Sequence, residues 1–179
     1  VSVVVITVHG TPAPQGSKRA FAVRGRGGIP TGRVAVIESS HDRVRSWRQA
    51  VVDAALEGAW HAGGWQFTGP VSVRMDFTLA RPRSHYRTGK HAGLLRPSAP
   101  LYPHRAPDLS KLARATEDAL TDAGVWADDA LVVSLAATKY YPDTGALRVP
   151  GARIEIGAMT WESISDAVRG ETRRAAAGG

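Results

Sequence analysis

The stretch PDLSKLARATEDALTDAGVWADDALVVSL, residues 107–135, carries a carboxylate, Asp108, just before an apolar-periodic segment. The cations Lys111 and Arg114 follow one turn further on, and an Asp pair, Asp128-Asp129, precedes a β-branched run. Residue types in that order suit phosphodiester hydrolysis. The reaction builds negative charge on the phosphoryl oxygens and the leaving oxygen, and a hard divalent cation held by two or three carboxylates neutralises it while activating water. Each residue also has a plainer use. Asp108 and Ser110 are both good helix N-caps, and capping is the commoner use of such a residue taken alone. Asp128-Asp129 could simply turn the chain into the next strand. Asp118 could pair with Arg114 at i,i+4, and Lys111 and Lys139 could be solvated surface cations.

The charges around this stretch are segregated. The formal net charge is +7, and residues 1–37 carry Lys18, Arg19, Arg24, Arg26 and Arg33 with no acid among them. Residues 77–107 carry Arg81, Arg83, Arg87, Lys90, Arg96 and Arg105, again without an acid, whereas acids concentrate between Asp108 and Asp129. Cations in Gly- and Pro-rich loops beside carboxylates in a helical segment suggest a phosphate-binding rim around a metal-binding centre. Charge alone does not choose, because basic proteins also bind acidic proteins and membrane surfaces. His85, His91 and His104 fall in the second basic stretch, but their wide spacing is a weak zinc signal.

Length and composition bound the rest. A chain of 179 residues suits one domain with a real hydrophobic core. Its 43% hydrophobic and 22% charged content is that of an ordinary globular domain. There is no cysteine, which removes disulfides and thiolate metal sites and agrees with a reducing cytoplasm. No apolar run approaches the ~20 residues that cross a bilayer, so no membrane partner is expected.

The elements that must position these residues can be read from period and punctuation. Residues 1–8 read as a strand, followed by an irregular turn through His9-Gly10-Thr11-Pro12-Ala13-Pro14. Residues 15–32 carry the first basic loop, and Arg33–Ile37 reads as a short strand or hairpin arm. Ser39 or Ser40 can cap a helix over 41–60, with Val44, Trp47, Val51, Ala55 and Leu56 on one face. Trp47 and Trp65 read as core or staple residues. Val71, Val73, Met75, Phe77 and Leu79 alternate with polar residues, the pattern of a strand with one buried face. Residues 81–106 lack periodicity and read as a long loop.

A second helix starts near Asp108, shows Leu109, Leu112, Thr116, Ala119, Leu120 and Ala123 on one face, and stops at Gly124. Leu131–Tyr141 and Ala152–Ala158 read as two strands of a hairpin turned at Pro142–Gly145. The expected class is α+β, in the order β-α-β-α-β-β, with two helices on one face of a small mixed sheet. Residues 1–159 form the domain, with basic loops at about 12–33 and 81–106; residues 160–179 form a short helix or a fraying tail.

The stretch 107–135 closely resembles the RusA family of Holliday junction resolvases, whose pattern is an Asp-rich helix start, a helix ending Ala-Leu-Thr-x-Ala-Gly, an aromatic residue and Asp-Asp. Further agreement comes from Pro12-Ala13-Pro14-Gln15-Gly16-Ser17-Lys18-Arg19, from the strand around Asp76 and from Lys139. The resemblance implies a homodimeric, Mg²⁺-dependent endodeoxyribonuclease, with Mn²⁺ as the alternative ion, that places paired nicks in branched DNA. It implies Asp108 and Asp129 as metal-binding acids, assisted by Asp128 or Asp76, and Arg114 or Lys111 as the phosphate clamp. Lys18, Arg19, Arg24, Arg26, Arg81, Arg83, Arg87 and Lys139 would then hold DNA. The family usually has a second acid two residues after the first, where this chain has Ser110. A hydroxyl is a weaker Mg²⁺ ligand, which leaves open a junction-binding protein that does not cut.

Overall fold

The computed structural model describes residues 3–160 except 17, 39–40 and 62–65. The expected C-terminal helix or tail, the Ser39 or Ser40 cap and Trp65 lie outside the described residues. The fold is α+β. In chain order it comprises β1 (Val3–His9), β2 (Lys18–Arg24), β3 (Pro30–Glu38), α1 (His41–His61), β4 (Val71–Thr78), α2 (Leu109–Asp122), β5 (Val132–Tyr140) and β6 (Gly151–Ala158).

The main sheet runs in the order β1-β6-β4-β5, and β2 and β3 form a separate antiparallel pair. β4 pairs parallel with β5 and antiparallel with β6. Parallel neighbours need a long crossover, and the loop 79–108 followed by α2 supplies it.

Two expectations are corrected here. β5 and β6 are not hairpin partners: β6 lies between β1 and β4, so the turn after Tyr141 carries the chain past β4. The reason is burial: Ala152, Ile154 and Ile156 of β6 are fully covered, with a hydrogen-bonded strand on either side. The first basic stretch is likewise no mere loop. Lys18–Arg24 is a strand paired with Pro30–Glu38.

Alternation explains which face carries the core. Ile6, Met75 and Ile154 lie in one cross-strand row, as do Val8, Ala152 and Phe77, and all six are buried. Against them pack Val44, Trp47, Val51 and Ala55 of α1 and Leu112, Ala115, Ala119 and Leu120 of α2. Each large apolar side chain so covered contributes about 1.5–3 kcal/mol relative to exposure. Gly151 is where β6 meets β1 most closely: a Cβ there would stand 2.1 Å from the Val8 carbonyl oxygen, so only glycine fits.

One polar link runs through the core. Trp47 Nε1 donates to Thr116 Oγ1 at 3.1 Å, and that hydroxyl donates to Leu112 O at 3.0 Å. The indole N–H of the buried Trp47 has no access to water, so Thr116→Val leaves it unpaired. The expected loss is about 1–3 kcal/mol of unfolding free energy, read from urea denaturation. An unchanged midpoint would mean the α1–α2 seam does not depend on this bond.

Candidate active site and nucleic-acid interface

Both ends of α2 carry carboxylates, and they are held differently. At the start, Asp108 has the backbone of an N-cap (φ −68°, ψ 134°), but its side chain accepts no capping hydrogen bond. Its carboxylate stays 60% exposed and lies 3.2 Å from Lys111 Nζ. Ser110 and Arg114 are exposed on the first turns. Lys139, near the end of β5, donates from Nζ to Arg105 O and Pro107 O, both at 2.9 Å. This lysine thereby ties the strand end to the backbone entering α2, so Lys139 is no plain surface cation.

At the far end, Gly124 takes the left-handed conformation (φ 72°) expected of a helix stop. Asp128 Oδ1 accepts from Ala130 N at 2.8 Å and caps the single 3₁₀ turn Asp129–Leu131. The turn-forming use is therefore the one Asp128 makes. Asp129 is exposed and, with Arg48, Asp118, Asp122 and Asp128, lines a shallow groove of about 230 Å³. Arg48 bonds Asp118, Asp122 and Gln15. Gln15 also donates to Asp118 at 2.7 Å. Asp118 thus pairs with α1 and the loop after β1, not with Arg114 as its spacing suggested.

Glu117 is the residue that sequence reasoning missed. Burial first, then the charges of Asp129 and Asp118, push its carboxyl above the usual range. Its proximity to Asp129 arises only because residues 124–129 fold back along α2, and no local pattern announces that.

Among the described residues, Asp108 and Asp129 do not fall together in a three-ligand group. Asp129 is electrostatically coupled to Glu117 and shares a groove with Asp118, and Asp118 stands about 15 Å further along the helix axis than Asp108 at the α-helical rise. Asp76 joins neither. Met75 and Phe77 face the helices, so Asp76 points to the opposite side of the sheet. There it is only 7% exposed, and Arg74 Nε approaches its Oδ2 at 3.3 Å. Its other oxygen is buried without a hydrogen-bond partner in the structure. Among the described residues, no three His, Asp or Glu side chains group as a cation site, the three loop histidines included.

The basic loops divide in the same way. Arg24, Arg26 and Arg33 are exposed on the β2–β3 hairpin, and Arg83 and Arg87 are exposed on the long loop. The side chains of Lys18 and Arg19 lie outside the described residues. Arg81 is corrected from DNA contact to internal clamp. Its side chain is 2% exposed, grips Asp143 with two hydrogen bonds of 2.9 and 2.7 Å, donates to Pro100 O and stacks 4.0 Å over the Tyr141 ring.

A helix start carrying a carboxylate beside a lysine, on an α+β sheet flanked by basic loops, suits a protein that meets phosphates. Comparison with known families agrees: the family model described as endodeoxyribonuclease RusA matches residues 11–155, from the loop after β1 into β6. The chain belongs to the RusA family of endodeoxyribonucleases. No curated protein matches it.

The Arg81 clamp yields a pH test. Hydrogen bonding from Arg81, above all, holds the Asp143 carboxyl below its usual range. A depressed folded pKa contributes stability above the unfolded value, near 4, and that stability is lost as pH falls through the folded value. Wild type and Asp143→Asn should therefore differ in urea midpoint at pH 7 and converge at pH below about 4. A gap that stays constant with pH would exclude the carboxylate charge as its source.

Proposed function

We propose that the protein resolves four-way DNA junctions by paired nicks, acting as a homodimer that requires a divalent cation, Mg²⁺ or Mn²⁺. The observation that carries this is Asp108: a family-matching carboxylate at an N-cap position, not engaged in capping, beside Lys111 and close to where Lys139 ties β5 to the entry of α2. Junctions are the substrate the family resemblance implies, and exposed cations on both flanking loops favour recognition through phosphates, hence by shape.

The donor set of one chain does not fit a divalent ion, since no group of three carboxylate or imidazole ligands occurs among the described residues. A pair of chains fits better. β5 has β4 on one side only among the described residues, which leaves a free hydrogen-bonding edge. That edge carries Val133, 60% exposed, and Leu135, 45% exposed. Two copies joined antiparallel along β5 about a two-fold axis would set the Asp128-Asp129 end of one beside the Lys139 and Asp108 end of the other. Each composite site would then draw Asp108 from one chain and Asp129 from the other.

When bound, the cation supplies positive charge where the phosphoryl oxygens become more negative. Asp128, through its bond to Ala130 N–H, orients the turn that carries Asp129. Lys111 and Arg114 offset charge on the phosphate; Arg114 stands where the family often has a lysine, and its planar fork suits two oxygens at once. Lys139 keeps residues 105–107 and the helix start in register. Ser110 supports a second reading, a junction-binding protein that does not cut, because a neutral hydroxyl holds Mg²⁺ less well than a carboxylate.

A labelled four-way junction separates these readings. Paired nicks with Mg²⁺ or Mn²⁺, abolished by EDTA and lowered by about 100-fold or more in Asp108→Asn, are expected of the nuclease. Binding without products in either ion would establish the second reading, and Ser110→Asp would then restore cutting.

Mixing chains tests the composite site. Asp108→Asn and Asp129→Asn, each inactive alone, should recover about a quarter of wild-type nicking when co-refolded in equal amounts, because about half of the dimers are mixed and one of the two sites in each keeps both carboxylates. No recovery, or a protein that stays monomeric on the junction, would defeat the shared-site arrangement.

A further inference from the structure

Beside the start of α2 the structure holds a groove of about 850 Å³, walled by the loop after β1, by Arg43 of α1 and by the long loop 79–107. We propose that this groove receives one unstacked nucleobase of the bound branched DNA. The inference rests on the junction reading above and adds a base-binding site to it.

Size and lining point to a small flat ligand. The volume lies in the range of about 300–1,000 Å³ typical of pockets that enclose a small molecule. A base inside a duplex presents only its edge. Pro12, Pro14, Pro82, Pro100 and Pro103 supply apolar rings against which the face of a base can lie. Ser98, His85, His104 and Arg105 bring polar atoms to the same space, the combination that reads a splayed-out base.

Charge narrows the choice further. The lining holds Arg43 and Arg105 and no Asp or Glu, so a ligand attached to phosphates is favoured over a cationic one.

Position and rigidity complete the case. Arg105–Pro107, part of the wall, is the segment whose carbonyls Lys139 holds immediately before Asp108. A phosphate seated at the helix start would therefore have its neighbouring base at the mouth of the groove. The back wall is already built. Arg81 joins Asp143, Pro100 O and the Tyr141 ring, and His85 meets that ring edge-on at 5.5 Å. A preorganised wall lowers the ordering cost of binding, and a base whose pairing is already disturbed costs least to unstack.

The test uses full-length protein and a four-way junction carrying 2-aminopurine at single positions around the branch, in EDTA so that nothing is cut. Saturating wild type should raise fluorescence about twofold or more at one or more positions, as expected for a base leaving its stack. Ala80→Trp and Ser84→Trp, which fill the groove from its long-loop wall, should abolish that rise while junction affinity by anisotropy stays within about threefold. Circular dichroism confirms that each variant is folded. No rise at any position with the junction saturated, or the same rise in both folded variants, would overturn the base site and leave junction binding intact. Failure of wild type to bind the junction at all would overturn the junction reading itself, and this inference with it.

Discussion

The parallel pairing of β4 with β5 governs the rest of the molecule. To enter β5 in the same direction as β4 the chain must return along the sheet, and α2 is the rigid part of that return. Its start is therefore fixed at the far ends of the two strands, where Lys139 holds Pro107 O. Its end is fixed near their beginnings, where Phe67 bridges Trp126 just before β4. Asp108 stands at the start of this helix, whereas Asp129 is coupled to Glu117, about 14 Å further along the axis at the α-helical rise. No rotamer change closes that distance. On the proposed reading a second copy supplies the other set, and the edge of β5 left without a partner strand among the described residues runs between the same two places.

Where local pattern and tertiary burial agree, the sequence was legible. α1, α2 and β4 each bury a face spaced at 3.6 or 2 residues, although Leu56, read onto the buried face of α1, is 53% exposed, and Gly124 ends α2 where its composition says it should. β2 was not legible because Lys18-Arg19-Ala20-Phe21 reads as a charged loop until β3 is seen opposite it. The β5–β6 hairpin was misread for a related reason. A turn signal such as Pro142–Gly145 says that the chain bends and nothing of which strand it bends towards. The burial of Ile154 between Ile6 and Met75 decides that.

The site follows the same division. Asp108 was found by its motif, and the structure leaves its carboxylate out of any cap. Arg81 and Arg83 are indistinguishable in sequence, yet one is enclosed and the other exposed, because Asp143, 62 residues away, meets only the first. Asp76 was drawn into the metal set by its type and by the resemblance of its strand, and the pleat of β4 turns it to the other side of the sheet. Residue type indicates what chemistry a position could do, while strand parity and distant partners decide whether it stands where the chemistry would happen.

Ser110 changes the balance of charge at the start of α2, and the consequence reaches beyond metal affinity. Lys111 lies 3.2 Å from the Asp108 carboxylate and Lys139 holds the backbone just before it, and the free N–H groups of the first helical turn add to the same sign. Such a site attracts a phosphate more strongly than one with a second acid, and holds a bare divalent ion less well. On the proposed reading, a bound phosphate brings the negative charge that Ser110 does not, so DNA and the cation each strengthen the binding of the other, by the same factor in both directions. An ion that settles only once the junction is in place would confine cutting to the bound complex, and free protein would bind metal weakly without being a defective enzyme.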